Sequence, residues 1–102
     1  MAQVVVNVFY NAPTDPEAFE SYYHDTHMPI ADRIPGLEKA VLLKGLPGPD
    51  GSAPAYYRLT QLWFADADAM AAGMSSPEGQ AAGADVANFA TGGATIMISH
   101  VG

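Results

Sequence analysis

The pattern of apolar and polar residues predicts four β-strands, and the first of them is the one whose two faces are both largely apolar. Residues 3–10 carry apolar side chains on both alternating faces, and Asn7 is the polar exception in the middle of the run. A strand that is apolar on both sides should be covered on both sides. Further strands are predicted over residues 38–46, 56–65 and 94–101.

Helical signals separate these strands. A helix is predicted over residues 16–27, where a proline suits the first turn and Thr14 with Glu17 has the spacing of a capping box. Pro29 disfavours helical geometry at the residue before it, so we expect a kink and then a short helical turn over residues 29–34.

Two further helices are predicted before the last strand. Asp66 is placed to cap a helix over residues 67–74, and Ser76 followed by Pro77 starts another. The order βα-ββ-αβ is the split βαβ plan of the ferredoxin-like fold, here an α+β single domain over residues 1–102 with a four-stranded antiparallel sheet. Helices cover one face of such a sheet, so we predict a homodimer in which a second copy covers the other face.

Composition and charge narrow the range of partners. The 102 residues include 11 acidic and 4 basic side chains, which gives a formal net charge of −7. Such a surface repels phosphate backbones and anionic lipids, so we expect no nucleic-acid partner and no membrane association. The absence of cysteine excludes disulfides and thiolate chemistry. There is no basic leader and no apolar run of about 20 residues, and we expect a cytoplasmic protein.

The candidate chemistry is concentrated in residues 22–36. This stretch contains two histidines, His24 and His27, and two adjacent tyrosines, Tyr22 and Tyr23. Histidine titrates near neutral pH and can take or give a proton at a small carbon acid. At helical spacing His27 lies at the edge of an aromatic stripe, one turn beyond Tyr23. From spacing alone, the favoured alternative is a buried histidine that bonds a backbone carbonyl freed by the kink.

A metal site would need more ligands than this helix supplies. His24, Asp25 and His27 point in diverging directions, and His24 points towards solvent and Glu20. We therefore predict that no metal is required and that His24 is a solvated surface residue. No phosphate-binding loop, dinucleotide fingerprint or nucleophile elbow occurs, so no cofactor is predicted.

Several strand residues are candidates for lining an apolar pocket that binds a substrate. Strand alternation supports such a lining but does not say which sheet face turns towards the helices, and simple packing is the alternative for each residue. Arg58, the cation of the third predicted strand, is predicted to form a salt bridge across the subunit boundary. The pocket candidates are Phe9, Tyr57 and Trp63, with Asn7 and Gln61 as polar anchors.

Four motifs, spread over essentially the whole chain, resemble the EthD family. They are Tyr22-Tyr23-x-x-x-His27-x-Pro29, Pro35-Gly36-Leu37, Ser76-Pro77-Glu78-Gly79 and Asp85-x-x-x-Phe89. The resemblance implies a dimeric α+β barrel, in which two ferredoxin-like sheets face each other. It also implies a small pocket in each subunit between sheet and helices, with His27 at the family's histidine and Tyr23 at its preceding aromatic position.

Relatives of this architecture include cofactor-free isomerases, decarboxylases, dehydratases and monooxygenases that act on small cyclic or aromatic compounds. A shared fold fixes no reaction. The first hypothesis is a cofactor-free enzyme of degradation or secondary metabolism, with His27 as general acid/base. For Tyr23 two roles stand equally: packing in the core, or orienting the imidazole or the ligand through its hydroxyl. A second hypothesis is a non-catalytic ancillary protein that binds a hydrophobic intermediate or assists an oxygenase. A third, an interaction module that only assembles, predicts that side chains fill the gap between helix and sheet.

Overall fold

The computed structural model describes residues 2–102 and contains one antiparallel sheet of four strands. The strands are β1 (Val4–Tyr10), β2 (Lys39–Lys44), β3 (Arg58–Phe64) and β4 (Ala94–His100). Their order across the sheet is β2-β3-β1-β4, so the first strand is central and the last lies at an edge. In the register of the sheet, Val6 of β1 lies opposite Leu62 on one side and Ile98 on the other.

Helical segments pack on one face of this sheet, which we call the inner face. They are α1 (Pro16–Tyr22), a π-helical segment (Tyr23–His27), α2 (Met28–Ala31), α3 (Ala67–Ser75), α4 (Pro77–Asp85) and a 3₁₀ turn (Val86–Asn88). The α+β ferredoxin-like plan predicted from the sequence is confirmed. Within residues 2–102, no helix has the length and apolar character needed to cross a bilayer.

The helices begin where side chains satisfy their first N–H groups. The predicted caps of α3 and α4 are confirmed, since Asp66 and Ser76 each accept a hydrogen bond from the N–H three residues later. At α1 the predicted capping box at Thr14 is wrong, because Asp15 accepts a hydrogen bond from the Ala18 N–H at 3.2 Å. The residue directly before the first helical position is the one whose side chain reaches the free N–H groups.

The expectation that Pro29 takes Met28 out of helical geometry is wrong, because Met28 has φ −62° and ψ −38°. The helix instead widens in the turn just before Pro29. In the π-helical segment the Met28 N–H donates to the Tyr23 carbonyl, five residues earlier. Pro29 follows in the first turn of α2, where its missing N–H leaves no hydrogen bond unmade. The extra residue in the turn changes which side chains face the sheet, and both Tyr23 and His27 are buried.

The core lies between the helices and the inner face of the sheet. Alternate residues of β1, from Val4 to Tyr10, are buried there, and β3 contributes Leu62 and Phe64. An aromatic cluster fills the centre of this layer, with ring centroids between 5.1 and 6.0 Å apart, close enough for edge and stacked contacts. Its members are Tyr10, Phe19, Tyr23 and Phe89.

The opposite, outer face of the sheet is not covered by any helix of residues 2–102. A row of polar side chains crosses its centre: Gln61 Nε2 donates to Asn7 Oδ1 at 3.2 Å, and Asn7 Nδ2 donates to Ser99 Oγ at 2.8 Å. Trp63 Nε1 extends the row by donating to Gln61 Oε1 at 3.4 Å. The register places apolar side chains around this row, namely Val5, Phe9, Val41, Leu43, Leu59 and Met97.

Arg58 forms its ion pair inside the subunit, so the predicted salt bridge across a subunit boundary is wrong. The Arg58 side chain is buried on the inner face, where Nε donates to Glu20 Oε2 at 3.1 Å and Nη2 donates to Oε1. Burial acts to raise the pKa of Glu20, but the Arg58 hydrogen bonds outweigh it and lower that pKa. The position of Arg58 in β3 explains this. Its side chain lies on the inner face and points towards α1, where Glu20 lies within hydrogen-bonding distance.

Candidate functional site

The imidazole of His27 is held in a narrow slot on the inner side of the sheet. The π-helical segment turns this side chain inward, and only 5% of the residue is exposed. Its ring lies 4.5 Å from the Phe89 ring and 6.2 Å from the Tyr23 ring, measured between centroids. The Phe89 and Tyr23 rings also contact each other, with centroids 6.0 Å apart, so the imidazole packs against one joined aromatic surface.

One of these nitrogens is fixed by Asp85, the last residue of α4. His27 Nδ1 lies 2.9 Å from Asp85 Oδ2, and both residues are buried. An ionised carboxylate only accepts hydrogen bonds, so the proton of the neutral imidazole sits on Nδ1. His27 Nε2 is then a hydrogen-bond acceptor, and no side chain of residues 2–102 donates a hydrogen bond to it. This is the histidine–carboxylate geometry of an oriented general base.

Asp85 is held in its ionised form by three donors. Tyr22 Oη donates to Oδ1 at 2.6 Å and Asn88 Nδ2 donates to the same oxygen at 2.9 Å. Burial acts to raise the pKa of Asp85, but the hydrogen bonds from Tyr22, Asn88 and His27 outweigh it and lower that pKa. The carboxylate therefore stays charged and accepts the hydrogen bond from His27 Nδ1.

A cavity of about 50 Å³ lies beside His27, between the sheet and the helices. A water needs roughly 10–15 Å³, so the space admits a few waters or a small group of atoms. Three wall residues carry polar side-chain atoms: His27, Tyr10 and Thr60. The remaining wall is apolar, formed by Val6, Val8, Ala31, Leu62, Met74, Ala82, Gly83, Val86 and Ile96.

The hydroxyls at the cavity are neutral donors. Burial raises the pKa of Tyr10 far above its usual range. Thr60 Oγ1 lies 2.5 Å from Tyr23 Oη, and burial likewise raises the pKa of Tyr23. The Tyr10 hydroxyl therefore stays protonated, and Tyr10 and Thr60 share the cavity wall with His27.

The strand residues proposed for substrate binding do not share this cavity. Phe9, Asn7, Gln61 and Trp63 lie on the outer face of the sheet, because they occupy the alternate positions to Tyr10 and Thr60. Tyr57 lies on the inner side, but its ring packs on Phe19 and its hydroxyl donates to Glu20 at 3.1 Å. The alternation of side chains along the strands did not show which face of the sheet carries the helices. Four of the five pocket candidates therefore lie across the sheet from His27.

The structure places Tyr23 behind His27 rather than at the cavity wall. Its ring stacks on the imidazole at an interplanar angle of 18°, and its hydroxyl reaches Thr60. The group that holds the imidazole by a hydrogen bond is Asp85, which the sequence placed only in the motif Asp85-x-x-x-Phe89, without a role. The link from Tyr22 to Asp85 was also missed, since nothing in the local pattern joins residues 63 positions apart. Asn88 lies only three residues after Asp85, but the sequence analysis gave it no role.

His24 lies where the sequence predicted, on the solvent side of the helix. Half of its side chain is exposed, and Nε2 lies 3.7 Å from Glu20 Oε1. Among residues 2–102, no three histidine, aspartate or glutamate side chains are grouped so as to hold a metal ion. The independence from metal therefore stays a prediction, for which elemental analysis of untagged protein is the test.

Comparisons with known proteins agree with this architecture. The family model of the EthD domain matches residues 11–93, a range that includes both His27 and Asp85. A protein from Rhodococcus erythropolis is 40% identical over 94 residues, which cover 92% of this chain and 90% of that protein. It is described only as an uncharacterized 11.0 kDa protein in the thcB–thcC intergenic region.

Solved structures extend the comparison to three dimensions. An EthD family protein from Bacillus halodurans superposes with a TM-score of 0.91 at 29% identity, and the match covers 100% of both chains. A dimeric ferredoxin-like protein from Thermobifida fusca has a TM-score of 0.70 at 14% identity, covering 98% of this chain and 92% of that one, and shares the fold alone. Since the family model spans most of the chain and the Rhodococcus relative matches nearly end to end, this chain belongs to the EthD family.

Proposed function

We propose that this protein is a cofactor-free enzyme that moves a proton on a small cyclic or aromatic compound, with His27 as general acid/base. The observation that carries the proposal is the buried His27–Asp85 pair at 2.9 Å, which leaves Nε2 free beside a cavity. Asp85 is a positioning residue, because it acts through the imidazole.

The site suits a carbon acid, such as a ring carbon next to a carbonyl group. In this step Nε2 takes the proton, the electron pair of the C–H bond moves into the adjoining carbonyl, and an enolate forms. The Tyr10 and Thr60 hydroxyls are the polar groups in the wall that can donate to the enolate oxygen. Return of the proton to another atom completes an isomerisation, and expulsion of a hydroxyl group completes a dehydration.

Hydrogen–deuterium exchange tests this chemistry without knowledge of the natural substrate. The protein is incubated in D₂O with cyclohexanone, γ-butyrolactone and 1,3-cyclohexanedione, and loss of the α-proton signal is followed by NMR. The proposal predicts protein-dependent exchange with at least one compound and its loss in His27→Gln. Exchange that persists in His27→Gln at the rate of the unaltered protein contradicts the role of the histidine.

The ancillary binding protein remains the second candidate, supported by the apolar wall of the cavity. It predicts ligand binding that does not change with pH and no exchange with any compound of the panel. The third hypothesis, an interaction module without a cavity, predicted that side chains fill the gap between helix and sheet. The cavity beside His27 contradicts that prediction.

We also propose that two copies of the chain pair through their outer sheet faces as a dimeric α+β barrel. The uncovered apolar area around the Asn7–Gln61 row supports this, and so does the description of several proteins of the same fold as dimeric. A face of this kind provides about 1,200 Å² or more of total buried surface, which is enough for a stable pair.

Light scattering at micromolar concentration is expected to give twice the chain mass of 10.7 kDa. Leu59→Glu places a charge on the outer face, where its burial at an interface is unfavourable, and should give the monomer mass. The matched control is Ala84→Glu, which adds the same charge at an exposed position of α4. A monomer mass for the unaltered protein, or a dimer in Leu59→Glu, contradicts pairing through this face.

A further inference from the structure

The cavity beside His27 adjoins a larger surface groove. The groove has a volume of about 450 Å³ and runs between the end of α4 and the edge strand β4. Three residues belong to the walls of both spaces: Gly83, Val86 and Ile96. Ile96 is 61% exposed, so the edge of the sheet does not close this side of the cavity. The cavity and the groove therefore adjoin between α4 and β4.

Gly83 is the helical residue without a side chain in the wall that the cavity and the groove share. It lies inside a helix, where glycine is less favourable than alanine. A Cβ at Gly83 would meet no atom of another element within 4 Å. By contrast, a Cβ at Gly79, one turn earlier, would collide with the backbone of Gly73 and Met74. Close packing therefore explains why a glycine is needed at position 79. The glycine at position 83 has no such packing role, and it leaves open space where the cavity meets the groove.

The residues that line the groove indicate the charge and polarity of a ligand that could bind there. All of them are uncharged: Gly83, Val86, Ala87, Ala90, Gly93, Ala94 and Ile96. Neither cavity nor groove offers an arginine or lysine to a negatively charged ligand, and the protein as a whole carries a net charge of −7. An uncharged ligand with an apolar body is the class that such walls stabilise.

We propose that Gly83 forms the entrance to the His27 cavity, through which an uncharged ligand inserts a small polar head while its apolar body lies in the groove. A polar head suits the site because His27 belongs to the cavity wall and its Nε2 makes no hydrogen bond within residues 2–102. The body stays outside because about 50 Å³ holds a few atoms and the groove holds many more. This inference rests on the proposed function for the site, but its test measures binding and does not require turnover.

Primary alcohols are suitable probes, because the hydroxyl can donate to Nε2 and the chain length can be varied. Binding of ethanol, butanol, hexanol and octanol is measured by calorimetry, with light scattering of each variant. For the unaltered protein, affinity should rise about fourfold per CH₂ group once the chain enters the groove. Hexanoate, with a charged head of similar size, should bind more weakly than hexanol.

Gly83→Leu fills the entrance and should weaken hexanol binding by about tenfold or more, the equivalent of two methylene groups removed from the groove. Ala84→Leu is the matched control, because it adds the same side chain to the next, exposed position outside both walls. Ile96→Trp narrows the same gap from the strand side and should act like Gly83→Leu, which guards against a folding defect of one variant.

Three results would overturn the inference. Hexanol could bind Gly83→Leu and Ile96→Trp as tightly as it binds the unaltered protein, or no alcohol could bind the unaltered protein. Alternatively, Gly83→Leu could change the oligomeric mass, which would identify the groove as a contact between copies of the chain. None of these results bears on the exchange assay, so the entrance and the proposed proton transfer can fail separately.

Discussion

Replacement of His27 by glutamine is expected to lower the exchange rate by about 10²–10⁴, the usual effect of removing a general acid/base. The glutamine amide can still donate to Asp85 from nearly the same place, so the carboxylate keeps a partner. What it cannot do is take a proton at neutral pH. The fold should therefore survive, and the thermal midpoint should change far less than the rate.

His24→Gln is the matched control for this variant. The substitution is chemically identical, three residues away on the same helix, at a side chain that is half exposed. It should leave both the rate and the thermal midpoint unchanged. If His27→Gln melts early while its folded fraction exchanges protons normally, His27 is structural and the proposed catalysis is wrong.

The sequence predicts the fold well because each element has its own local signal. The alternation of Val4 to Tyr10 predicts a strand without reference to the rest of the chain. Ser76 followed by Pro77 likewise marks a helix start through contacts that span three residues. The prediction that Thr14 caps α1 was wrong by only one residue, since the capping residue is Asp15.

The site is less predictable because its contacts join distant residues. His27 and Asp85 are 58 positions apart, and no periodicity connects them. Their meeting depends on α4 packing against the first helical region, which no local pattern fixes. The assignment of Phe9 and Gln61 to a pocket failed to place them with His27 for a related reason: alternation defines two faces but does not identify the one that carries the helices.

Asp85→Asn is the second substitution with a large expected effect. Its outcome depends on which donors bind each of the two carboxylate oxygens of Asp85. Tyr22 and Asn88 both donate to Oδ1, whereas His27 Nδ1 contacts Oδ2. In the variant, the amide oxygen must take the Oδ1 position, because two donors meet there. The NH₂ group then faces His27 and donates to Nδ1.

This reversal moves the imidazole proton from Nδ1 to Nε2, so the nitrogen that we propose as the base no longer accepts a proton. An amide in place of such an orienting carboxylate can lower the rate by about 10⁴. The ¹⁵N chemical shifts of His27 should exchange their protonated and unprotonated positions. Tyr22→Phe, which removes one donor but keeps the carboxylate, is the control and should retain the tautomer and most of the rate.

Acid unfolding of the same variant provides a test that needs no ligand. The pKa of Asp85 is lowered in the folded protein, below the ordinary value of 3.8. Its contribution to stability is therefore complete above that value and is lost as the pH falls through the lower, folded-state pKa. The unaltered protein should lose more stability between pH 6 and pH 3 than Asp85→Asn does, and Glu20, whose pKa is also lowered, contributes equally to both. Identical acid profiles, together with an unchanged His27 tautomer, would show that the carboxylate is not held as an anion and does not orient the histidine.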